Sequence, residues 1–519
     1  MNKFILSIIS GFLFAFSWVE TGLFPLVFFA FVPLLILEKN LSLTRKNSSL
    51  LMFGFSFLSF FLFNIITTYW IWNATIFGAF AAFIINAILM SLVMVIFHKV
   101  KYVLGNKKGY IFFIFLWISM EYLHLNWELA WPWLTLGNVF ASCPDLVQWY
   151  EYSGVLGGSL WILILNVMLY KIVISQQNKS VLILCLIILI PVSISLIIKK
   201  NLEENSSSKE EVVIVQPNVN PYTVKFNRDL IQQQLDDFIK ISRTKITSKT
   251  NLLVGPETAL QETIWENKIS NTESIVKLRN LQKDFPNLNI LIGSSTFKYL
   301  GDTKEKNSRK LRDNTWYNAY NTAIFLASDS TISLYHKTKL VPGVEQIPYS
   351  FILNKIGDFT VNLGGVSGSL SQDNSIDRFE FKELKILPLI CYESIFGDII
   401  TSRESNVIVI ITNDGWWKNT SGYKQHFQYA RLRAIEQRKS IVRSANTGIS
   451  SIISPSGKIE METNWDEEIA INSLVSVNDT TTFYNKFGDF IGRIFSFLSI
   501  LLLFSAIVKN KTKKIPTKI

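Results

Sequence analysis

Eight stretches of this chain carry almost no charge, near residues 3 to 18, 23 to 37, 50 to 72, 77 to 97, 110 to 125, 158 to 174, 180 to 198 and 490 to 508. A bilayer core takes roughly 20 helical residues to cross, and a chain inside it must satisfy its own backbone hydrogen bonds. Each stretch is therefore expected to be a transmembrane helix. Charged residues make up 18% of the 519-residue chain, below the roughly 25% usual in soluble proteins. Lys3 ahead of a short apolar run resembles the start of a signal peptide, but no small-residue cleavage site follows, so an uncleaved helix is expected.

Orientation follows from where Lys and Arg fall in the short loops. Lys39, Arg45 and Lys46 follow the second span, Lys99, Lys101, Lys107 and Lys108 the fourth, Lys171 and Lys179 the sixth, and Lys509, Lys511, Lys513, Lys514 and Lys518 the eighth. All of these lie on one side. The alternate loops are poor in Lys and Arg, and the connection from 127 to 157 has neither. Both termini are thus expected in the cytoplasm and the segment from about 201 to 486 outside. The expected division is a seven-helix membrane domain over 1–200, an outer domain over 201–486, and a last helix with a basic tail over 487–519. The net charge of +11 follows this alternation rather than forming a patch, which argues against nucleic-acid binding.

Beyond the polar linker 201–210, apolar runs of strand length alternate with helical spacing. Strands are expected at 211–218, 251–254, 288–292, 320–327, 330–336, 384–391, 407–412 and 441–444, with 448–454 paired to 458–462. Helices are expected over 227–247, 274–285 and 425–437. Such alternation points to an α/β domain with both sheet faces covered.

Three ends of this framework carry chemistry. The strand Ile386–Ile390 delivers Cys391, followed by Tyr392 and Glu393; Glu257 follows Gly255-Pro256; Lys337 lies just past a strand in Tyr335-His336-Lys337-Thr338-Lys339. A thiol that attacks an acyl carbon needs a base for its proton and positive or hydrogen-bonding groups for the oxyanion. Glu257 suits the first role and a lysine the second. Alternation places Lys337 and Lys339 on the same face, so period leaves both open. Glu345 and Glu393 are candidates for holding the lysine charged. Cys185 is expected to be a buried apolar side chain within the seventh span, and a Cys143–Cys391 disulfide is the bland alternative to a reactive thiol. No His, Cys and carboxylate spacing suggests a metal, and no Gly-rich loop suggests a nucleotide.

Together with Val341-Pro342-Gly343-Val344-Glu345, Asn413-Asp414-Gly415-Trp416-Trp417, Trp131-Pro132-Trp133-Leu134, Gln425 to Arg431 and Arg443 to Gly448, these segments resemble the Glu-Lys-Cys nitrilase, or carbon-nitrogen hydrolase, superfamily. With the membrane frame, the resemblance is to its membrane-embedded branch, the apolipoprotein N-acyltransferases. It implies a polytopic helical membrane domain of about eight transmembrane helices plus an α/β nitrilase-like α-β-β-α sandwich. It also implies Glu257 as general base, Lys337 rather than Lys339 at the oxyanion, and Cys391 as nucleophile. The main-chain N–H of Tyr392 would be a second oxyanion donor, with Glu345 and Glu393 as supporting carboxylates. The family usually has His where Lys339 stands and Phe-Gly-Glu where Gly343-Val344-Glu345 stands.

The implied reaction takes an acyl chain from a membrane phospholipid, through a thioester on Cys391, to the amino group of a diacylglyceryl-cysteine on an apolipoprotein. No cofactor is implied, and the implied location is the bacterial inner membrane, multi-pass, with a periplasmic catalytic domain. An apolar lid would keep water from the thioester; the segment 222–226 with Phe226, the loop 364–368, and Trp416 with Trp417 are the candidates. The alternative is a membrane-anchored amidase or nitrilase hydrolysing a small C–N substrate.

Overall fold

The computed structural model describes residues 2–18, 21–43, 47–175, 178–203, 208–311, 313–349, 369–373, 378–401 and 404–512. The chain divides into two compact units, one of residues 1–72, 76–203 and 483–519, the other of 73–75 and 204–482.

The first unit is helical. Six helices among the described residues are long and apolar enough to cross a membrane: Phe24–Ser42, Ser48–Thr68, Ile76–Leu104, Tyr150–Ile174, Val181–Leu202 and Phe490–Thr512. The other two expected spans are also helical. Lys3–Phe16 has 14 residues, about 21 Å at 1.5 Å per residue, and Asn106–Leu125 carries Lys107, Lys108, Glu121 and His124. Among lipid tails the hydrophobic effect does not hold helices together, so close packing and polar contacts must. Phe31 meets Phe14 edge-on at 4.7 Å and Trp117 at 4.6 Å between centroids. Asn166 accepts from the main-chain N–H of Phe31 at 2.8 Å and donates to the Val27 carbonyl at 2.9 Å. Buried Glu38 takes up both His98 and Lys101.

One expectation fails here. Cys185 is exposed, because its helix buries only 6% of its apolar window inside the protein; its apolar surroundings must come from lipid.

The second unit contains two sheets. The first holds β1 (Ser208–Gln216), β2 (Thr250–Val254), β3 (Leu260–Trp265), β4 (Asn289–Gly301), β5 (Arg309–Lys310), β6 (Trp316–Leu326), β7 (Ile332–His336) and β14 (Ile469–Val477). Its order is β14-β1-β2-β4-β6-β5, with β3 on β4 and β7 on β6. The second sheet, in the order β13-β12-β11-β10-β9-β8, is built from β8 (Phe379–Phe381), β9 (Leu384–Ile390), β10 (Val407–Thr412), β11 (Ser440–Ala445), β12 (Ser451–Ile453) and β13 (Ile459–Glu462).

Central strands such as β10, Val-Ile-Val-Ile-Ile-Thr, are apolar without alternation because they are buried on both faces. Between the sheets, Val212, Ile214, Leu291 and Phe325 share a core with Ile386, Ile390, Val409 and Val442. The outer face of the first sheet is covered by Leu235 and Phe238 from helix Ile231–Arg243 and by Ile275, Leu278 and Leu281 from Glu273–Asp284. Helix Ser421–Gln437 packs on β11 and β12 of the second. The layers run α-β-β-α.

Several strands differ from the sequence expectation. The strand expected at 288–292 continues to Gly301, since β4 pairs with β6 along its whole length. The strands β3, β5, β8 and β14 were absent from the expectation; β14 alternates Ile469, Ile471, Val475 and Val477 and closes one edge against β1.

Gly154, within helix Tyr150–Ser175, has φ 59° and ψ −170°, and a Cβ there would lie 2.3 Å from the Tyr484 ring. That backbone region is essentially open to glycine alone and costs another residue about 1–3 kcal/mol before any clash. Gly154→Ala is therefore expected to lower the unfolding temperature in detergent; an unchanged midpoint by scanning fluorimetry would contradict this account of the kink.

Candidate active site

Topology brings three strand ends to one edge of the second unit. The strands β1, β2 and β4 run parallel, as do β9, β10 and β11. Two antiparallel steps, β4 to β6 and β6 to β7, return β7 to the direction of β2. Residues just past β2 and β7 therefore emerge together, as ligand-binding groups do at the carboxyl ends of α/β sheets.

Past β2 the chain is held straight as far as the candidate base. The N–H of Gly255 donates to the Leu291 carbonyl at 2.8 Å, and the N–H of Gly293 to the Pro256 carbonyl at 3.0 Å. A Cβ on Gly293 would stand 2.7 Å from Glu257 Cα and 2.6 Å from Thr258 N, so glycine permits this approach. Glu257 is 6% exposed. Its Oε1 accepts from Asn321 Nδ2 at 2.8 Å, and its carbonyl accepts from Lys225 Nζ at 3.0 Å.

Lys337 follows β7 directly and is 1% exposed. Its N–H donates to the Asn321 carbonyl at 2.8 Å, and its ammonium donates to Glu345 Oε1 at 2.8 Å and lies 3.5 Å from Glu257 Oε1. Burial by itself would drive off its proton, but Glu345 and Glu257 outweigh that and hold its pKa well above the usual lysine value. Lys339 points elsewhere, over the Phe396 ring at 5.2 Å. Glu345 is fixed in turn by the Val341 N–H, which donates to its Oε2 at 2.8 Å.

Cys391 ends β9 with φ 52°, a left-handed conformation that costs a non-glycine residue about 1–3 kcal/mol and recurs where a side chain is presented for chemistry. Burial raises its thiol pKa, Glu257 raises it further, and Lys337 opposes both. The resting group is therefore a thiol, and attack requires a base.

Glu393 is bound chiefly to main chain and hydroxyl groups. Its Oε1 accepts from Tyr335 Oη at 2.9 Å, from the Thr338 N–H and hydroxyl at 2.5 and 2.7 Å, and from the Lys339 N–H at 3.2 Å; its Oε2 accepts from the Ile390 N–H at 2.8 Å. It thus staples the Cys391 turn of one sheet to the Lys337 segment of the other. Tyr392 is buried beside it.

Beneath Cys391 lies a second buried set. Asp414 Oδ1 accepts from Thr412 Oγ1 at 2.8 Å and lies 2.9 Å from His426 Nδ1, while Arg443 donates to its Oδ2 at 2.6 Å. His426 Nε2 is 3.1 Å from the Cys391 carbonyl. Burial would raise the Asp414 pKa, but Arg443 and His426 bring it down to about 2.

The aromatic candidates also meet. Tyr222 donates to the Trp416 carbonyl at 2.6 Å, and Phe226 stacks on the Trp416 ring at 6.2 Å between centroids. Trp417 meets the His426 ring at 5.5 Å. The loop 364–368 lies outside the described residues. No cluster of three His, Cys, Asp or Glu suited to a metal occurs among the described residues, and the three cysteines are all free.

Asn321, Lys225, His426 and Arg443 were not selected from sequence. Asn321 sits mid-strand, and Nδ2 bridges Glu257 to Glu345, the latter at 3.3 Å. Only the pairing of β6 with both β4 and β7 places it there, although an Asn on a buried strand is itself a signal.

Comparison with known proteins matches residues 10–168 to the apolipoprotein N-acyltransferase N-terminal domain and residues 212–481 to the carbon-nitrogen hydrolase family. Similar curated proteins include the apolipoprotein N-acyltransferases of Chlorobaculum tepidum, 26% identical over 98% of this chain and 97% of its own length, and Rickettsia prowazekii, 28% identical over 96% of each. That of Aquifex aeolicus is 28% identical over 87% of this chain and 94% of its own. A solved CN-hydrolase superfamily protein of Xanthomonas campestris covers 52% of this chain and 91% of its own, with 13% identity and a TM-score of 0.36.

Two outcomes test this geometry. Asn321→Ala leaves a buried carboxylate short of a donor, a cost of about 1–3 kcal/mol; turnover is expected to fall by about tenfold or more, and an unchanged rate would remove Asn321 from the site. Asp414 has a depressed folded pKa, so its contribution is present above the unfolded value of 3.8 and is lost as pH falls toward 2. From that gap it is worth about 2 kcal/mol, so Asp414→Asn is expected to flatten the acid limb of a melting-temperature profile.

Proposed function

The chain belongs to the carbon-nitrogen hydrolase family, and from that premise we propose that it is a phospholipid:apolipoprotein N-acyltransferase with Glu257, Lys337 and Cys391 as its catalytic residues. The observation that carries the reading is the Lys337 ammonium set between Glu257 and Glu345 near the Cys391 thiol, in a chain whose other half matches the apolipoprotein N-acyltransferase N-terminal domain. The chain spans nearly the whole length of relatives that bear this name.

In the first half-reaction Glu257 takes the thiol proton as the sulfur attacks the ester carbonyl of a phospholipid. The carbonyl π electrons move to oxygen, and Lys337 Nζ and the Tyr392 main-chain N–H hold the oxyanion. Collapse breaks the ester C–O bond, and Glu257 returns its proton to the departing alkoxide, releasing lysophospholipid and leaving an acyl thioester on Cys391. In the second, Glu257 takes a proton from the amine of a diacylglyceryl-cysteine as that nitrogen attacks. The C–S bond then breaks, and the thiol is restored as the amide forms. Phe226, Trp416 and Trp417 supply apolar cover that favours the amine over water.

The charge of the short loops supports an inner-membrane protein with its catalytic unit in the periplasm. Alkaline phosphatase fused after residue 482 is accordingly expected to be active in cells, and inactive when fused after residue 512; the reverse pattern would invert the orientation.

The function is tested by supplying the purified protein with phospholipid and a diacylglyceryl lipopeptide in mixed micelles. The lipopeptide is expected to gain one acyl chain by mass, and to gain none with Cys391→Ala or Glu257→Gln. Release of free fatty acid or ammonia without acylated lipopeptide would favour a hydrolase.

A further inference from the structure

Lys225 reaches the candidate base from a segment that supplies none of the three proposed catalytic residues. After β1 the chain turns over 221–226, where the N–H groups of Val224 and Lys225 both donate to the Asn220 carbonyl, at 3.2 and 3.0 Å. Gln234, on helix Ile231–Arg243, donates to the carbonyls of the same two residues at 3.2 and 3.3 Å. With its backbone held on both sides, Lys225 points inward and is 2% exposed. Its ammonium donates to the Glu257 carbonyl at 3.0 Å.

An ammonium in a dry site is costly unless negative charge surrounds it. Burial draws the Lys225 pKa down to about 8, and the charge of Glu257 resists that fall. The other ionisable groups of the site are Lys337 after β7, Glu345 beyond it, buried Tyr392, Glu393, whose carboxyl burial pushes up, and, under Cys391, Asp414 with His426 and Arg443. Two ammonium groups, Lys225 and Lys337, thus stand against the carboxylates of Glu257 and Glu345. If Lys225 lost its proton, Lys337 alone would face both. The field of Lys225 acts on both ends of the first proton transfer, the carboxylate that accepts and the sulfur left negative.

We propose that Lys225 is a positioning residue of the acyl-transfer site, its buried ammonium holding the main chain of Glu257 in place and balancing the charge that passes from Glu257 to the Cys391 sulfur. The turn that carries it also carries Tyr222 and Phe226, both against Trp416, so the same contact ties the aromatic wall to the base. The inference rests on the acyl-transfer reading of Cys391. It adds that the charged form of Lys225 is the working form, so acylation slows as pH rises through the pKa of that group.

The test follows acylation of Cys391 by phospholipid in mixed micelles, by rapid quench and intact mass, from about pH 6 to about pH 10. It compares the full chain with Lys225→Arg and Lys225→Met. The unsubstituted protein is expected to lose rate above about pH 8. In Lys225→Arg, whose guanidinium stays charged, the rate at neutral pH is expected within about tenfold and the alkaline fall displaced upward by about one unit or more. Lys225→Met is expected to be slower by about a hundredfold at neutral pH.

A Lys225→Met protein with unaltered rate and pH profile overturns the inference. An alkaline fall at the same pH in Lys225→Arg also overturns it, and this comparison holds even if Lys225→Met folds poorly. Absence of any acyl adduct on the unsubstituted protein instead overturns the acyl-transfer reading, and this inference with it.

Discussion

A single buried ammonium shared by two carboxylates organises this site. Lys337 lies 2.8 Å from Glu345 and 3.5 Å from Glu257, with Lys337 and Glu257 buried and Glu345 partly so. Taking such charges out of water is expensive, and a buried pair repays the cost only where its remaining hydrogen-bonding groups are met. Here they are met by backbone and strand. The Val341 N–H serves Glu345, Asn321 serves both carboxylates, and the Lys337 N–H is anchored on the Asn321 carbonyl. In the proposed reaction, a lysine kept charged so deep in the protein would meet a developing oxyanion without solvent rearranging around it.

The two-sheet core makes this arrangement possible. Glu257 and Lys337 come from the first sheet and Cys391 from the second, and the apolar layer between the sheets fixes their spacing. Glu393 then joins the two locally, with one oxygen on the 338–339 main chain and the other on Ile390. A carboxylate used this way acts on geometry. The Asp414, His426 and Arg443 set performs the matching task beneath the left-handed turn at Cys391, where a strained backbone needs support.

How much of this the sequence disclosed depended on whether a partnership was local. The apolar strand ahead of Cys391, the Gly-Pro before Glu257 and the membrane-length runs are local patterns, and the corresponding elements appear in the structure. Strand alternation left Lys337 and Lys339 level; burial separates them, one enclosed by carboxylates and the other laid over Phe396. Asn321, Lys225 and Arg443 were illegible because their partners Glu257 and Asp414 lie 29 to 64 residues away and meet only through strand order. The exposure of Cys185 escaped for a related reason, since hydropathy alone does not distinguish a protein interior from lipid. The strand β14 was missed although its alternation was visible, because no turn signal set it apart from the polar stretch before it.

The central claim is that Cys391 carries the acyl group between two lipids. Intact-mass measurement of the protein incubated with phospholipid alone tests this most directly. The account predicts a mass increase of one acyl chain, located on Cys391, released by hydroxylamine and discharged when a diacylglyceryl lipopeptide is added. An unmodified Cys391 under these conditions, while lipopeptide acylation proceeds, would contradict it.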